Sequence, residues 1–207
     1  MNRFRLVVLC TGNRFRSPLA EVLLRDLTAE LPVDVSSGGT LSLPPSPALR
    51  EAIDAAAAMQ LDLNPHRCRH MSEAGLVDAD RVVGFERMHV ATAVVDGGAA
   101  PERTFTMPEL VGLLREVEPH EQDPVARARE GVALAHEARS GRPPQLLDAN
   151  ELGDPYGRSS KVYRETAERV EALTEELAAR LFRVPPRRHA ARESARSEGW
   201  LKRLVSR

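Results

Sequence analysis

The sequence predicts an α/β domain in which parallel strands are joined by crossover helices, and three observations carry that reading. Short β-branched runs alternate along the chain with stretches of helical periodicity. The first apolar run, Leu6-Val7-Val8-Leu9, ends in Cys10 and passes through a tight Gly-Asn turn into an amphipathic helix opened by Ser17-Pro18. The 207 residues, 42% hydrophobic with a formal net charge of -1, are enough to bury one substantial core.

Strands are expected at 4–9, 33–37, 80–84 and 103–107, with helices near 18–30, 47–60, 72–77 and 86–94. Ala55 to Ala58 favour helix without selecting a buried face. Thr106 and Glu109 have capping-box spacing, and Pro108 is tolerated in a first helical turn, so another helix should open there. A short helix is expected around 124–139. A long one follows at about 160–183, where Val162, Val170, Leu173, Leu177 and Leu181 form a core stripe.

The turn after the first strand carries chemistry. Loop amides and the positive end of the following helix converge on one point, which suits a bound dianion, and Cys10 stands there. Thr11, Gly12, Asn13, Arg14, Phe15, Arg16 and Ser17 form the expected phosphate-binding loop. A cysteine in such a ring of amides, near a guanidinium, is expected to be a thiolate nucleophile. Arg16, six residues on, can bind two phosphoryl oxygens with its planar fork. Gly12 and Asn13 are residue types that tolerate positive φ. Ser17 has two readings, helix cap or donor to the Cys10 thiolate.

The stretch Val8-Leu9-Cys10-Thr11-Gly12-Asn13 with Arg16-Ser17-Pro18-Leu19-Ala20-Glu21 closely resembles the signature of the low-molecular-weight protein tyrosine phosphatases. The resemblance covers roughly 1–116 and 148–183. It implies a three-layer open sheet of four parallel strands flanked by helices, with the site at the strands' C-terminal ends. It also implies an Asp-Pro-aromatic triplet near the C-terminus, found here as Asp154-Pro155-Tyr156-Gly157. Asp154 is then the general acid for the leaving oxygen and the base for the water that hydrolyses a cysteinyl-phosphate intermediate. Catalysis is thus assigned to Cys10, Arg16 and Asp154, without a cofactor or metal.

Departures from the family pattern bear on substrate. Phe15 stands where many members carry a second cysteine, and Glu86 where they often have Asp. Ser36-Ser37-Gly38-Gly39-Thr40 and His66-Arg67-Cys68-Arg69 are weaker matches. Leu41, Ser42 and Leu43 follow Thr40 where tyrosine-specific members have an aromatic, so Leu43 and Tyr156 are the expected pocket wall, with Phe15 as a further stacking candidate. The Asp-Pro-aromatic-Gly-x-Ser form and Thr104-Phe105-Thr106 resemble the branch with protein arginine phosphatases. Arg14 argues against that activity, since a guanidinium leaving group sits badly beside a fixed one. A phosphotyrosine protein substrate is therefore the first reading, phosphoarginine the second. A non-catalytic phosphate-binding module has no need to retain Cys10, Arg16 and Asp154 together. Arsenate reduction needs further cysteines beyond the distant Cys68.

Two segments exceed the pattern. Residues 117–147 read as an insertion within a 1–184 phosphatase domain, either a lid or partner surface, or a surface excursion. The 185–207 tail has seven basic residues against two acidic, a net of +5 that leaves -6 for the rest. Trp200, Leu201, Leu204 and Val205 share one face of a terminal helix. The main reading of the tail is a solvated extension, with an anionic membrane or acidic partner as the lesser one.

Charge gives no reason to expect nucleic acid, and no run approaches the ~18 apolar residues of a membrane span. The N-terminus leads straight into the first strand, leaving no room for a signal peptide, so a cytoplasmic protein with two free thiols is expected. His66, Cys68 and His70 lack a fourth ligand and have basic neighbours, against a metal. His89, His120, His136 and His189 are scattered and point to nothing. Oligomeric state is not indicated.

Overall fold

The computed structural model describes residues 3–140 and 151–187. The sequence readings that fall on 141–147 and on 188–207 lie outside the described residues. Four strands, β1 (Phe4–Cys10), β2 (Val33–Gly39), β3 (Arg81–Gly84) and β4 (Thr104–Thr106), form one sheet in the order β2-β1-β3-β4. All three pairings are parallel, with Leu6 opposite both Val35 and Arg81, and Cys10 opposite Gly39. Strand alternation divides β1 between two cores: Phe4, Leu6, Val8 and Cys10 face one layer, Val7 and Leu9 the other.

The larger layer holds α1 (Arg16–Leu27), α2 (Arg50–Ala58), α4 (Met107–Leu114), α5 (Pro124–Ser140) and α6 (Ser160–Phe182). On the opposite face lie α3 (Arg87–Val95) and a 3₁₀ turn at Met71–Glu73. The Thr106 box forms: Thr106 Oγ1 accepts from the Glu109 amide (3.2 Å) and Glu109 Oε2 from the Thr106 amide (3.1 Å).

Differences from expectation have local causes. The helix expected at 72–77 shrinks to one 3₁₀ turn because Gly75 takes φ +77°. The helix expected at 47–60 starts only at Arg50 and stops before Gln60, at φ +60°. The described part of 117–147 contributes one helix to the core. Val125, Ala128, Val132 and Ala135 recur at helical spacing on α5 and are buried in the main core with α4 and α6. At about 1.5–3 kcal/mol for each buried valine, that stripe holds α5 to the domain.

Candidate active site

The loop between β1 and α1 is shaped by one glycine and one asparagine. A Cβ on Gly39 of β2 would lie 3.0 Å from the Thr11 carbonyl oxygen and 3.2 Å from the Asn13 nitrogen, so the loop rests directly on that glycine. Asn13 takes the left-handed conformation at φ +50°, a role Gly12 does not share. Among the described residues, the amides of Gly12, Asn13, Arg14 and Phe15 donate to no backbone carbonyl. Consecutive unpaired amides at a helix N-terminus make an anion-binding concavity.

The fully buried Asn13 side chain sets the direction of a proton chain. Its Oδ1 accepts from the Arg69 amide (3.1 Å), which leaves Nδ2 to donate to Ser17 Oγ (2.9 Å) and Ser37 Oγ (2.7 Å). Each hydroxyl, having accepted, passes its own proton on. Ser17 donates to Cys10 Sγ at 3.0 Å, and Ser37 to Glu21 Oε2. Ser17 is therefore not the helix cap. Helix α1 starts one residue earlier, after Phe15, and the hydroxyl is committed to the thiol.

Arg16 joins the distant parts of the chain. Its Nη1 donates to Glu86 Oε2 (2.6 Å) and to the Leu152 carbonyl (2.8 Å), while Nη2 meets Asp154 Oδ2 at 2.8 Å and Thr11 Oγ1 at 3.3 Å. Asp154 Oδ1 accepts from the Tyr156 amide (3.1 Å), so the carboxylate is oriented by its own turn. The stretch before it is tied to the end of β3: the Leu152 amide donates to the Phe85 carbonyl (3.0 Å) and the Arg87 amide to Glu151 Oε1 (2.7 Å).

His89, which sequence reasoning passed over, belongs to this network. The amides of Phe85 and Glu86 donate to its Nδ1 (3.2 and 3.1 Å), so the neutral ring carries its proton on Nε2 and donates to Thr11 Oγ1 (3.1 Å). Burial, helped by the Arg16 charge, pushes its pKa down to about 3, so it stays neutral at any ordinary pH. Gly84 admits it: a Cβ there would lie 2.6 Å from His89 Cβ. The available signal was the three-residue spacing from Glu86, which makes a reciprocal capping box at the start of α3. His66 stands in a weaker family match and was weighed as a metal ligand. Its Nε2 instead meets the Asn13 carbonyl oxygen (2.8 Å), and burial lowers its pKa. Among the described residues, no three His, Cys, Asp or Glu stand together to hold a metal ion.

The resulting cavity, about 270 Å³, is lined by Cys10, Thr11, Gly12, Arg14, Phe15, Arg16, Leu41, Leu43, Leu49, Asp154 and Tyr156. It brings together all three residues assigned to catalysis and both expected wall residues, Leu43 and Tyr156, and adds Leu41 and Leu49. Phe15 also packs inward, edge-on to Tyr163 at 5.1 Å. Among the described residues, Arg14 has no carboxylate partner and donates from Nε to the Pro47 carbonyl (3.3 Å).

A family model described as low molecular weight phosphotyrosine protein phosphatase matches residues 5–138. The protein-arginine-phosphatase of Bacillus subtilis (strain 168) is 25% identical over 178 residues, which span 85% of this chain and 95% of that protein. The low molecular weight protein-tyrosine-phosphatase Etp of Escherichia coli (strain K12) is 29% identical over 180 residues, or 86% and 95%. The crystal structure of a low molecular weight protein tyrosine phosphatase from T. tengcongensis superposes with a TM-score of 0.63 at 25% identity, over 86% of this chain and 99% of that one.

Proposed function

This chain belongs to the low molecular weight phosphotyrosine protein phosphatase family, a family of cysteine-based hydrolases, and from that premise we propose that it removes phosphate from phosphotyrosine in proteins. The observation that carries the reading is the convergence of Cys10, unpaired loop amides, Arg16 and Asp154 on one cavity.

In the first step the Cys10 thiolate attacks phosphorus and the phosphorus–oxygen bond to the leaving group breaks. Loop amides and Arg16 hold the three equatorial oxygens, and Asp154 gives its proton to the departing phenolate. The phosphoryl group takes over the Arg16 Nη2 contact that Asp154 makes at 2.8 Å, turning the carboxyl toward the leaving oxygen. In the second step Asp154 accepts a proton from water, water oxygen bonds to phosphorus, and the thiolate departs. The Ser17 hydroxyl, aimed at Sγ, stabilises the anion before attack and on departure.

The walls favour an aromatic ester. Leu41, Leu43, Leu49 and Tyr156 supply apolar surface for a phenyl ring. Phosphoarginine is the second reading, supported by the likeness to the Bacillus subtilis enzyme. Opposing it, the Arg14 guanidinium lines the same cavity and its charge disfavours a cationic leaving group. Among the described residues no helix is long and apolar enough to cross a membrane. We place its action in the cytoplasm, a reading supported by the two free thiols, Cys10 and Cys68.

The test is phosphate release from matched phosphotyrosine and phosphoarginine peptides by wild type, Cys10→Ser and Asp154→Asn. Phosphotyrosine turnover that both variants lose is the expected result. Preferential release from phosphoarginine establishes the second reading, and wild-type protein that binds but never releases phosphate is a binding module.

A further inference from the structure

A second cavity, about 490 Å³, runs between α2 and α6 on the outside of the domain. Its floor is Ala55, Ala58, Met59, Tyr163 and Ala167, and its edges carry Glu51, Asp54, Glu168 and Glu171 against Arg164, with Arg50 paired to Asp54 at 2.8 Å beside them. It is thus an apolar trough with an acidic rim, the complement of a basic segment with an apolar face. This chain contains such a segment. Residues 188–207 hold Arg188, Arg192, Arg196, Lys202, Arg203 and Arg207, together with Trp200, Leu201, Leu204 and Val205.

The last described residues point the chain that way. Arg183 ends α6 in the left-handed conformation (φ +58°), and the chain doubles back. The Arg187 amide then donates to Glu175 Oε1 (3.2 Å), and Arg187 Nε meets Asp26 Oδ2 (3.1 Å). Glu175, Glu171, Glu168 and Arg164 lie along one face of α6, so Arg187 stands at the head of the line of residues that leads down the trough. Were the chain to continue as a helix antiparallel to α6, at ~1.5 Å per residue, Trp200, 13 residues past Arg187, would come level with Tyr163, 12 residues before Glu175, and Arg192 would come beside Glu171.

We propose that residues 188–207 dock intramolecularly in the α2–α6 trough, with Trp200 against Tyr163 and the tail arginines on the acidic rim. Tyr163 is a consequential landing point. Its ring packs edge-on against Phe15 of the phosphate-binding loop, with centroids 5.1 Å apart. The occupied trough therefore presses on a residue that braces the phosphate-binding loop through Phe15.

Trp200 is the only tryptophan in the chain, so its fluorescence reads docking directly in the full-length protein. Blue-shifted emission is expected, with acrylamide quenching reduced about threefold or more relative to free peptide 188–207, and partly restored at ~1 M salt as the charge pairs are screened. The double variant Asp54→Lys/Glu168→Lys, both at exposed positions, is expected to red-shift Trp200 while circular dichroism stays unchanged. Four results overturn the proposal. They are quenching equal to the free peptide, protection that dilutes away and so reports a second copy, protection only with vesicles of anionic lipid, and protection that survives the double variant.

Discussion

Replacing Asn13 by aspartate reverses a proton chain without changing the shape of the loop, and so isolates what that chain does. Aspartate keeps the tolerance for the left-handed backbone that φ +50° requires, and its acceptor oxygen keeps the Arg69 amide. It cannot supply the two protons that Nδ2 gives to Ser17 and Ser37. The single Ser17 proton must then choose between the new carboxylate and Cys10 Sγ, now 3.0 Å away. Losing a hydrogen bond to a charged sulfur removes about 1.5–3 kcal/mol, or about 10- to 150-fold in rate at 1.36 kcal/mol per decade. The loss falls on the second step, in which the thiolate must depart. Expected with p-nitrophenyl phosphate is a burst of p-nitrophenolate approaching one per site, followed by slow turnover. KM should move less, because amides and Arg16 still bind the phosphate. The reasoning is refuted if Asn13→Asp folds normally by urea denaturation and keeps kcat within about twofold of wild type.

Neutral His89 makes the fold acid-sensitive: its pKa is about 3 in the fold against 6.5 when exposed, so below pH 6.5 the unfolded chain binds the extra proton. Stability present above that value is lost as pH falls, by about 2 kcal/mol between pH 7 and pH 5. Urea midpoints of wild type and His89→Gln check this, and equal pH slopes count against it. Gly39→Ala drives a Cβ against loop backbone at 3.0–3.2 Å, where no flexible side chain can yield. Its kcat should fall more than about tenfold through misplacement of the loop, and full activity would show that the loop has slack. Phe15 replaces the second loop cysteine, and the Cys68 thiol donates to the Pro44 carbonyl at 3.3 Å. Peroxide inactivation should therefore resist recovery with dithiothreitol, whereas complete recovery would reveal a resolving thiol.

What the sequence disclosed depended on whether a residue acts through its neighbours in the chain. Cys10, Arg16 and the left-handed Asn13 lie within one turn, where spacing alone constrains geometry, and Asp154 was found because the resemblance implies an Asp-Pro-aromatic triplet that Asp154-Pro155-Tyr156 matches. The four parallel strands were also legible, because β-branched runs and helical periods alternate. His89 was not, since its role depends on Thr11, 78 residues away, and on a cap whose partner Glu86 looks like an ordinary surface charge. Helix α5 was read in its place, at about 124–139, but its part in the core was not, for the opposite reason. Its Val125, Ala128, Val132 and Ala135 stripe was readable, but comparison with the family signature made the segment look like an addition rather than part of the core.

Asp154, the general acid of the proposed mechanism, enters the site from the far end of the chain, yet its placement is set by the turn after β3. Leu152 bonds to Phe85, Glu151 caps Arg87, and Arg16 binds the Leu152 carbonyl and Glu86 through the same nitrogen. Those contacts fix Leu152 through its backbone and Glu151 through its side chain, and Glu86 and His89 belong to the same turn. Arg16 therefore acts twice: one nitrogen anchors the acid loop to the β3 turn, and the other faces the phosphoryl position that Asp154 Oδ2 contacts. A lysine has one ammonium and no planar fork, so it cannot hold the anchor and the phosphate together. That division of labour explains why an arginine at the start of α1 is buried to 1% exposure despite its charge. Its desolvation is offset by carboxylates that the fold needs there for other reasons, one to shape the β3 turn and one to carry the proton.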